Sequence, residues 1–181
     1  MILRKLPLYF CLLTLTQCSK CKNDPTPTGQ LPPATQTGAN TFGCLVNGQP
    51  YTPSGNNGTS NYAVLYDSGF QGGNLQVRTY RYIGSGENTK QTIVIGGDSI
   101  NHIGAYQLTA IGAQQAYFLD RNLASPCDRF AEGSGIYTKG ALIITRLDLQ
   151  AGIISGTFAF TLFQPGCDTV KVTQGRFDKK L

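Results

Sequence analysis

The sequence predicts an all-β fold, an antiparallel β-sandwich or partly closed barrel of about eight to ten short strands, and three observations carry that prediction. Only 14% of the 181 residues are charged while 22 are glycine, which suits short strands joined by tight turns better than solvated helices. Apolar residues recur at every second position in short runs bounded by glycine. Nothing reads as a long amphipathic helix. The length allows one domain with a real core, and not two generous ones once end segments are set aside.

Residues 1–17 read as a signal peptide. Arg4 and Lys5 form a short basic start, and Leu6 to Leu15 is an apolar run of about ten residues, well short of the roughly twenty needed to span a bilayer. In Leu15-Thr16-Gln17-Cys18, Leu at −3 and Cys at +1 resemble the bacterial lipobox, in which the cysteine is acylated and becomes the new N-terminus. Gln17 departs from that pattern, which prefers a small residue at −1; the competing reading is an ordinary signal sequence with a buried or disulfide-bonded cysteine. Cys18 is the expected lipidation site. Residues 18–38 turn polar at once and then become a Pro/Thr/Gly/Gln tract with little apolar content to repay ordering, so they read as a flexible, lipidated tether. Each buried methylene of an acyl chain contributes about 0.8 kcal/mol, so several chains make an effectively permanent anchor.

From residue 39 onwards a single all-β domain is expected. Phe42 to Val46 and Tyr51 flank Asn47-Gly48, a strong hairpin signal because both central positions of that turn need positive φ. Further runs follow at 62–66, 75–83, 91–95, 105–108, 116–119, 141–147, 153–163 and 169–172. In the run at 153–163, Phe158, Phe160 and Leu162 share one face while Thr157, Ala159 and Thr161 share the other. Asp148 to Gly152 joins it to the run before it as an antiparallel hairpin, with Gly152 left-handed and Asp148 serving the turn.

The stretches Asn40-Thr-Phe-Gly-Cys-Leu-Val-Asn-Gly, Ile144-Thr-Arg-Leu-Asp with Ile154-Ser-Gly-Thr-Phe, and Val172-Thr-Gln-Gly-Arg-Phe-Asp make the mature chain resemble small lipoproteins of Bacteroidota that carry a β-rich domain of unknown function. The resemblance implies an envelope location, as an outer-membrane lipoprotein facing the periplasm or the exterior. It brings no catalytic or binding residues with it.

Of the six cysteines, Cys11 leaves with the signal and Cys18 carries lipid, which leaves Cys21, Cys44, Cys127 and Cys167 in an oxidising compartment. Cys127 and Cys167 both sit in turn-rich segments beside strands, where a cross-link disturbs no ladder, so a Cys127–Cys167 disulfide is expected. Cys44, among apolar strand neighbours, reads as a small buried hydrophobe. No metal or other cofactor is expected: the cysteines are dispersed and there is a single histidine. The net charge of +5 falls to +3 once Arg4 and Lys5 are removed, and no Lys/Arg stripe accompanies it, which argues against nucleic acid as a partner.

No catalytic site is read. His102 lies close to Asp98 and Ser99, but triad members are normally brought together by the fold and not by a single loop, and no Gly-x-Ser-x-Gly elbow is present; Gly84-Ser85-Gly86 and Gly133-Ser134-Gly135 read as turns. Asp67, Asp120, Asp128, Glu132, Asp148 and Asp168 hold the candidates for a pair of carboxylates in glycoside hydrolysis, with the pairing unreadable. Tyr80-Arg81-Tyr82 places two tyrosines on one strand face with Arg81 on the other, so Tyr80 and Tyr82 form the candidate binding surface for a sugar ring or an envelope protein. The competing reading of any one tyrosine is ordinary cross-strand packing. The expected function is a membrane-anchored, non-catalytic binding or structural role, with a glycan-active enzyme using two carboxylates as the alternative.

Overall fold

Two antiparallel sheets stack face to face in the computed structural model, which describes residues 31–131 and 135–181. Cys18, Cys21, the predicted signal peptide and the first part of the tether lie outside the described residues, as do residues 132–134. Among the described residues the strands are β1 (Thr41–Val46), β2 (Gln49–Tyr51), β3 (Tyr62–Asp67), β4 (Asn74–Tyr82), β5 (Lys90–Gly97), β6 (Gly104–Thr109), β7 (Gln114–Asp120), β8 (Arg129–Phe130), β9 (Tyr137–Asp148), β10 (Ile153–Phe163) and β11 (Val170–Lys180). The six-stranded sheet runs β2-β1-β11-β10-β9-β6 and the five-stranded sheet β3-β4-β5-β7-β8. Neither sheet closes on itself, so the architecture is a sandwich and not a barrel.

The predicted turns form as their chemistry requires. Asn47 and Gly48 take φ of 48° and 80°, which lets β1 reverse into β2 with Val46 opposite Gln49. Gly152 takes φ of 63°, and Asp148 accepts a hydrogen bond from the Ala151 amide at 2.8 Å, closing the β9–β10 hairpin. Phe158, Phe160 and Leu162 are buried while Ala159 is exposed, as the alternation required. The core between the sheets draws on both layers, with Phe42 stacked on Phe158 at 5.3 Å.

β11 extends to Lys180, eight residues beyond the expected end at Val172. A bulge explains the difference. Gln174 adopts φ of 52°, and the pairing of β11 shifts register against both neighbours. Val170 and Val172 face the core before the bulge, Gly175 and Phe177 after it, so the period-two pattern changes phase midway. A Cβ on Gly175 would lie 2.3 Å from the Phe158 ring. Gly175→Ala is therefore expected to cost about 1–3 kcal/mol by overpacking. Chemical denaturation read against the parent chain checks it, and an unchanged midpoint would contradict this packing.

The folded unit also begins earlier than residue 39. Asp178, 1% exposed, accepts hydrogen bonds from Thr35 Oγ1 (2.7 Å), the amides of Thr37 (2.9 Å), Gly38 (2.9 Å) and Ala39 (3.0 Å), and Ser155 Oγ (2.7 Å). Arg176 reaches the Pro32 carbonyl at 3.2 Å, and Arg146 reaches that of Gln36. Residues 32–38, which the sequence assigns to the tether, are thus held against the six-stranded sheet. Low apolar content leaves that segment without a core of its own, but its backbone donors satisfy a buried carboxylate on β11.

Candidate functional site

Three neighbouring strands of the five-stranded sheet end their core-facing rows on polar residues. The β4 row runs Leu75, Val77, Thr79, Arg81; the β5 row, read from its other end, runs Ile95, Ile93, Gln91; the β7 row runs Ala116, Phe118, Asp120. Register places Arg81 opposite Gln91 and Gln91 opposite Asp120, so the three side chains form a ladder across the sheet. Arg81 Nε donates to Gln91 Oε1 at 2.8 Å, and Gln91 Nε2 donates to Asp120 Oδ2 at 2.5 Å. Asp120 Oδ1 accepts from the Asn122 amide (3.0 Å) and from Asn122 Nδ2 (2.7 Å).

The ladder also ties the two sheets together. The Arg81 guanidinium lies over the Tyr51 ring, 4.6 Å from its centroid, and Nη1 donates to the Pro50 carbonyl of β2. Tyr51, fully buried, shares a hydrogen bond of 3.1 Å with Thr79 Oγ1, and burial pushes its hydroxyl well above the ordinary phenol range. Over the ladder opens a cleft of about 440 Å³. Its lining includes Asn47 of the β1–β2 turn, Gln49 of β2, and Cys167 and Asp168 of the β10–β11 connection, and Asn47 Oδ1 accepts from the Lys171 amide at 2.7 Å. Leu123 and the Cys127–Cys167 disulfide stand at its edge, with Phe118, Phe130 and Val170 supplying apolar surface.

Asp120 and Asp168 are the two expected acids that reach this cleft together. Asp67 caps its own turn through the Gly69 amide at 2.9 Å, and Asp148 serves the β9–β10 turn. His102 does not meet Asp98 and Ser99. Its Nδ1 lies 2.8 Å from Asn101 Oδ1 and 3.2 Å from the Tyr106 hydroxyl, whereas Asp98 accepts from Asn74 Nδ2 at 2.6 Å and Ser99 Oγ reaches the Gln71 carbonyl. Among the described residues no three His, Cys, Asp or Glu side chains gather where they could hold a metal, and no helix is long and apolar enough to cross a membrane.

The expected Tyr80 and Tyr82 surface needs correction. Both rings lie on the face away from the core, but residues 54–61 fold over them: Tyr80 donates to the Thr59 carbonyl at 2.6 Å and accepts from the Asn57 amide at 3.3 Å, leaving 1% of it exposed. Tyr82 packs edge-on against Tyr80 at 5.8 Å, hydrogen-bonds Glu87, and lies with its ring where a Cβ on Gly55 would come within 2.5 Å. Lys90 Nζ lies over both rings. The pair is a packed corner and offers no open stacking platform.

Arg81 and Gln91 were not expected site residues, although strand alternation contained the signal. A row that reads Leu75, Val77, Thr79, Arg81 commits an arginine to the core face, and such a charge needs partners. No family model, curated protein or solved structure matches this chain.

Proposed function

We propose that this chain is an exported envelope lipoprotein, anchored through Cys18, whose β-sandwich serves as a non-catalytic binding module that uses the disulfide-edged cleft. One observation supports binding over chemistry: the cleft's buried polar groups are committed to one another. Both oxygens of Asp120 already accept hydrogen bonds, from Gln91 and from Asn122, so the carboxylate is held as part of the wall and not presented to a reacting bond. The N-terminal sequence supports the anchor, and residues 31–39, strapped to β11 through Asp178, would carry its pull directly into the sheet.

In the native host, labelled palmitate should enter the chain and be lost in Cys18→Ala. Equal labelling of the variant would overturn the anchor. The second reading, a glycan hydrolase, is favoured by the presence of Asp120 and Asp168 in one cleft. It requires release of reducing ends from an envelope glycan and their loss in Asp168→Asn; the binding reading expects no release from either protein.

A further inference from the structure

We infer that the outer face of the six-stranded sheet docks on anionic lipid headgroups and is the face the domain lays against its own membrane, an inference that rests on the anchor through Cys18 proposed above. Where the chain enters the fold selects the face. Leu31 and Pro32 lie on it: a Cβ on Gly43 of β1 would come within 2.6 Å of the Pro32 ring and 3.4 Å of the Leu31 side chain, and Arg176 of β11 holds the Pro32 carbonyl. Residues 19–30 are all that separate Leu31 from Cys18, and at full extension they span roughly 45 Å at most. A lipid on Cys18 therefore keeps this face within about one domain's width of a bilayer.

Charge selects the headgroup. Pairing across β6, β9, β10 and β11 lines up Thr109, Lys139, Thr161 and Lys171 in one row, turned away from the core because Leu108, Thr138, Leu162 and Val172 are turned into it. Both lysines are exposed, and among the described residues neither has an ion-pair partner. The acids of this sheet are occupied elsewhere: Asp148 pairs with Arg146, and Asp178 is buried beneath residues 35–39. Asp168, in the β10–β11 connection, lines the cleft. On one side of the row stand Tyr137 and Phe163, exposed and paired across β9 and β10. On the other, exposed Ile143 borders a shallow hollow of about 490 Å³ together with Ala34, Ala141 and Ala159. Basic side chains set among exposed aromatic and aliphatic ones match an anionic bilayer surface, where each charge is worth about fivefold in partitioning and aromatic rings settle at headgroup depth. A second copy fits less well, since a two-fold contact would put the same basic row on both sides of the interface.

The opposite face provides the comparison, because Arg78 of β4 and Arg129 of β8 are exposed there while the chain enters on the other side. The chain from residue 18, which keeps all the strands, would carry Cys21→Ser and be coupled through Cys18 to a maleimide lipid in nanodiscs. Cys44 is buried, and Cys127 and Cys167 are bonded to each other, so none of these competes for the reagent. A paramagnetic headgroup lipid then broadens the amides nearest the bilayer. With phosphatidylglycerol in the disc, broadening at Ala141, Ala159 and Lys171 should exceed that at Gln76, Arg78 and Val94 by about fivefold or more. In phosphatidylcholine alone, or at about 1 M salt, the preference should fall below about twofold. Lys139→Gln/Lys171→Gln should lose it with an unchanged melting curve, whereas Arg78→Gln/Arg129→Gln should keep it. Even broadening of the two faces, or stronger broadening around β4 and β5, would overturn the docking face. A preference that survives in phosphatidylcholine or in the lysine pair would overturn the headgroup class, and one that appears only when several chains share a disc would assign the face to a second copy instead. Because the coupling supplies the lipid chemically, none of these outcomes bears on acylation of Cys18, which palmitate labelling decides.

Discussion

Asp178→Ala is expected to destabilise the domain by about 2–4 kcal/mol, because it removes at once the acceptor of the buried Ser155 hydroxyl and of several partly buried donors of residues 35–39. Ser155 Oγ is deeply buried, and the amides of Thr37, Gly38 and Ala39 have this carboxylate as their acceptor. For a domain of this size the loss corresponds to a fall in Tm of roughly 10 °C. Asp178→Asn keeps the shape but turns an NH2 group towards donors, so it should recover little of the loss. A change of less than about 2 °C in both variants would show that the donors find other partners.

The same carboxylate gives a pH dependence with a definite sign. Burial alone would raise its pKa, but the hydrogen bonds from Ala39, Thr35, Ser155 and Thr37 outweigh burial and hold the carboxyl well below its ordinary range. A group depressed in the folded state stabilises the fold above its unfolded pKa, and that contribution fades as pH falls through the unfolded value towards the folded one. The parent should therefore lose stability on acidification below about pH 5, more steeply than Asp178→Ala does. Amide exchange at residues 35–39 should accelerate first, because those donors are released when the carboxyl protonates.

What could be read from the sequence was local. The Asn47-Gly48 and Gly152 turns follow from φ preferences, and the inward row of β10 follows from alternation, so neighbours along the chain suffice. Features that depend on distant partners were harder to see. The bulge at Gln174 is selected by the Phe158 ring against Gly175, a contact across strands. β8 is two residues long and exists as an edge partner of β7. Ordering of residues 31–39 depends on an acid some 140 positions away. The cleft was half legible: each polar end of a core-facing row could be read singly, but the register that lines up Arg81, Gln91 and Asp120 is a property of the sheet.

Loss of the disulfide should have an effect of similar size. Cys127 and Cys167 are joined across a sequence separation of 40, as expected from their turns. Their placement adds a second role. Cys127 precedes β8 of the five-stranded sheet, whereas Cys167 lies between β10 and β11 of the six-stranded one, so the bond staples one layer to the other beside the cleft. Closing a loop of that length is worth about 4 kcal/mol in the chain-entropy model, and Cys127→Ser should lose most of it while the rest of the core keeps the chain folded. Phe130, 1% exposed on the two-residue β8, is held locally by only a short ladder to β7, so exchange at Arg129 and Phe130 should rise more than at β4 or β5. Cys44 provides the internal control. It is free and fully buried, and burial pushes its thiol up to about 12, so it should be alkylated only after denaturation in parent and variant alike. Peptide maps of the non-reduced chain should link Cys127 to Cys167. A peptide linking Cys44 to either, or a Cys127→Ser variant as stable as the parent, would refute the staple.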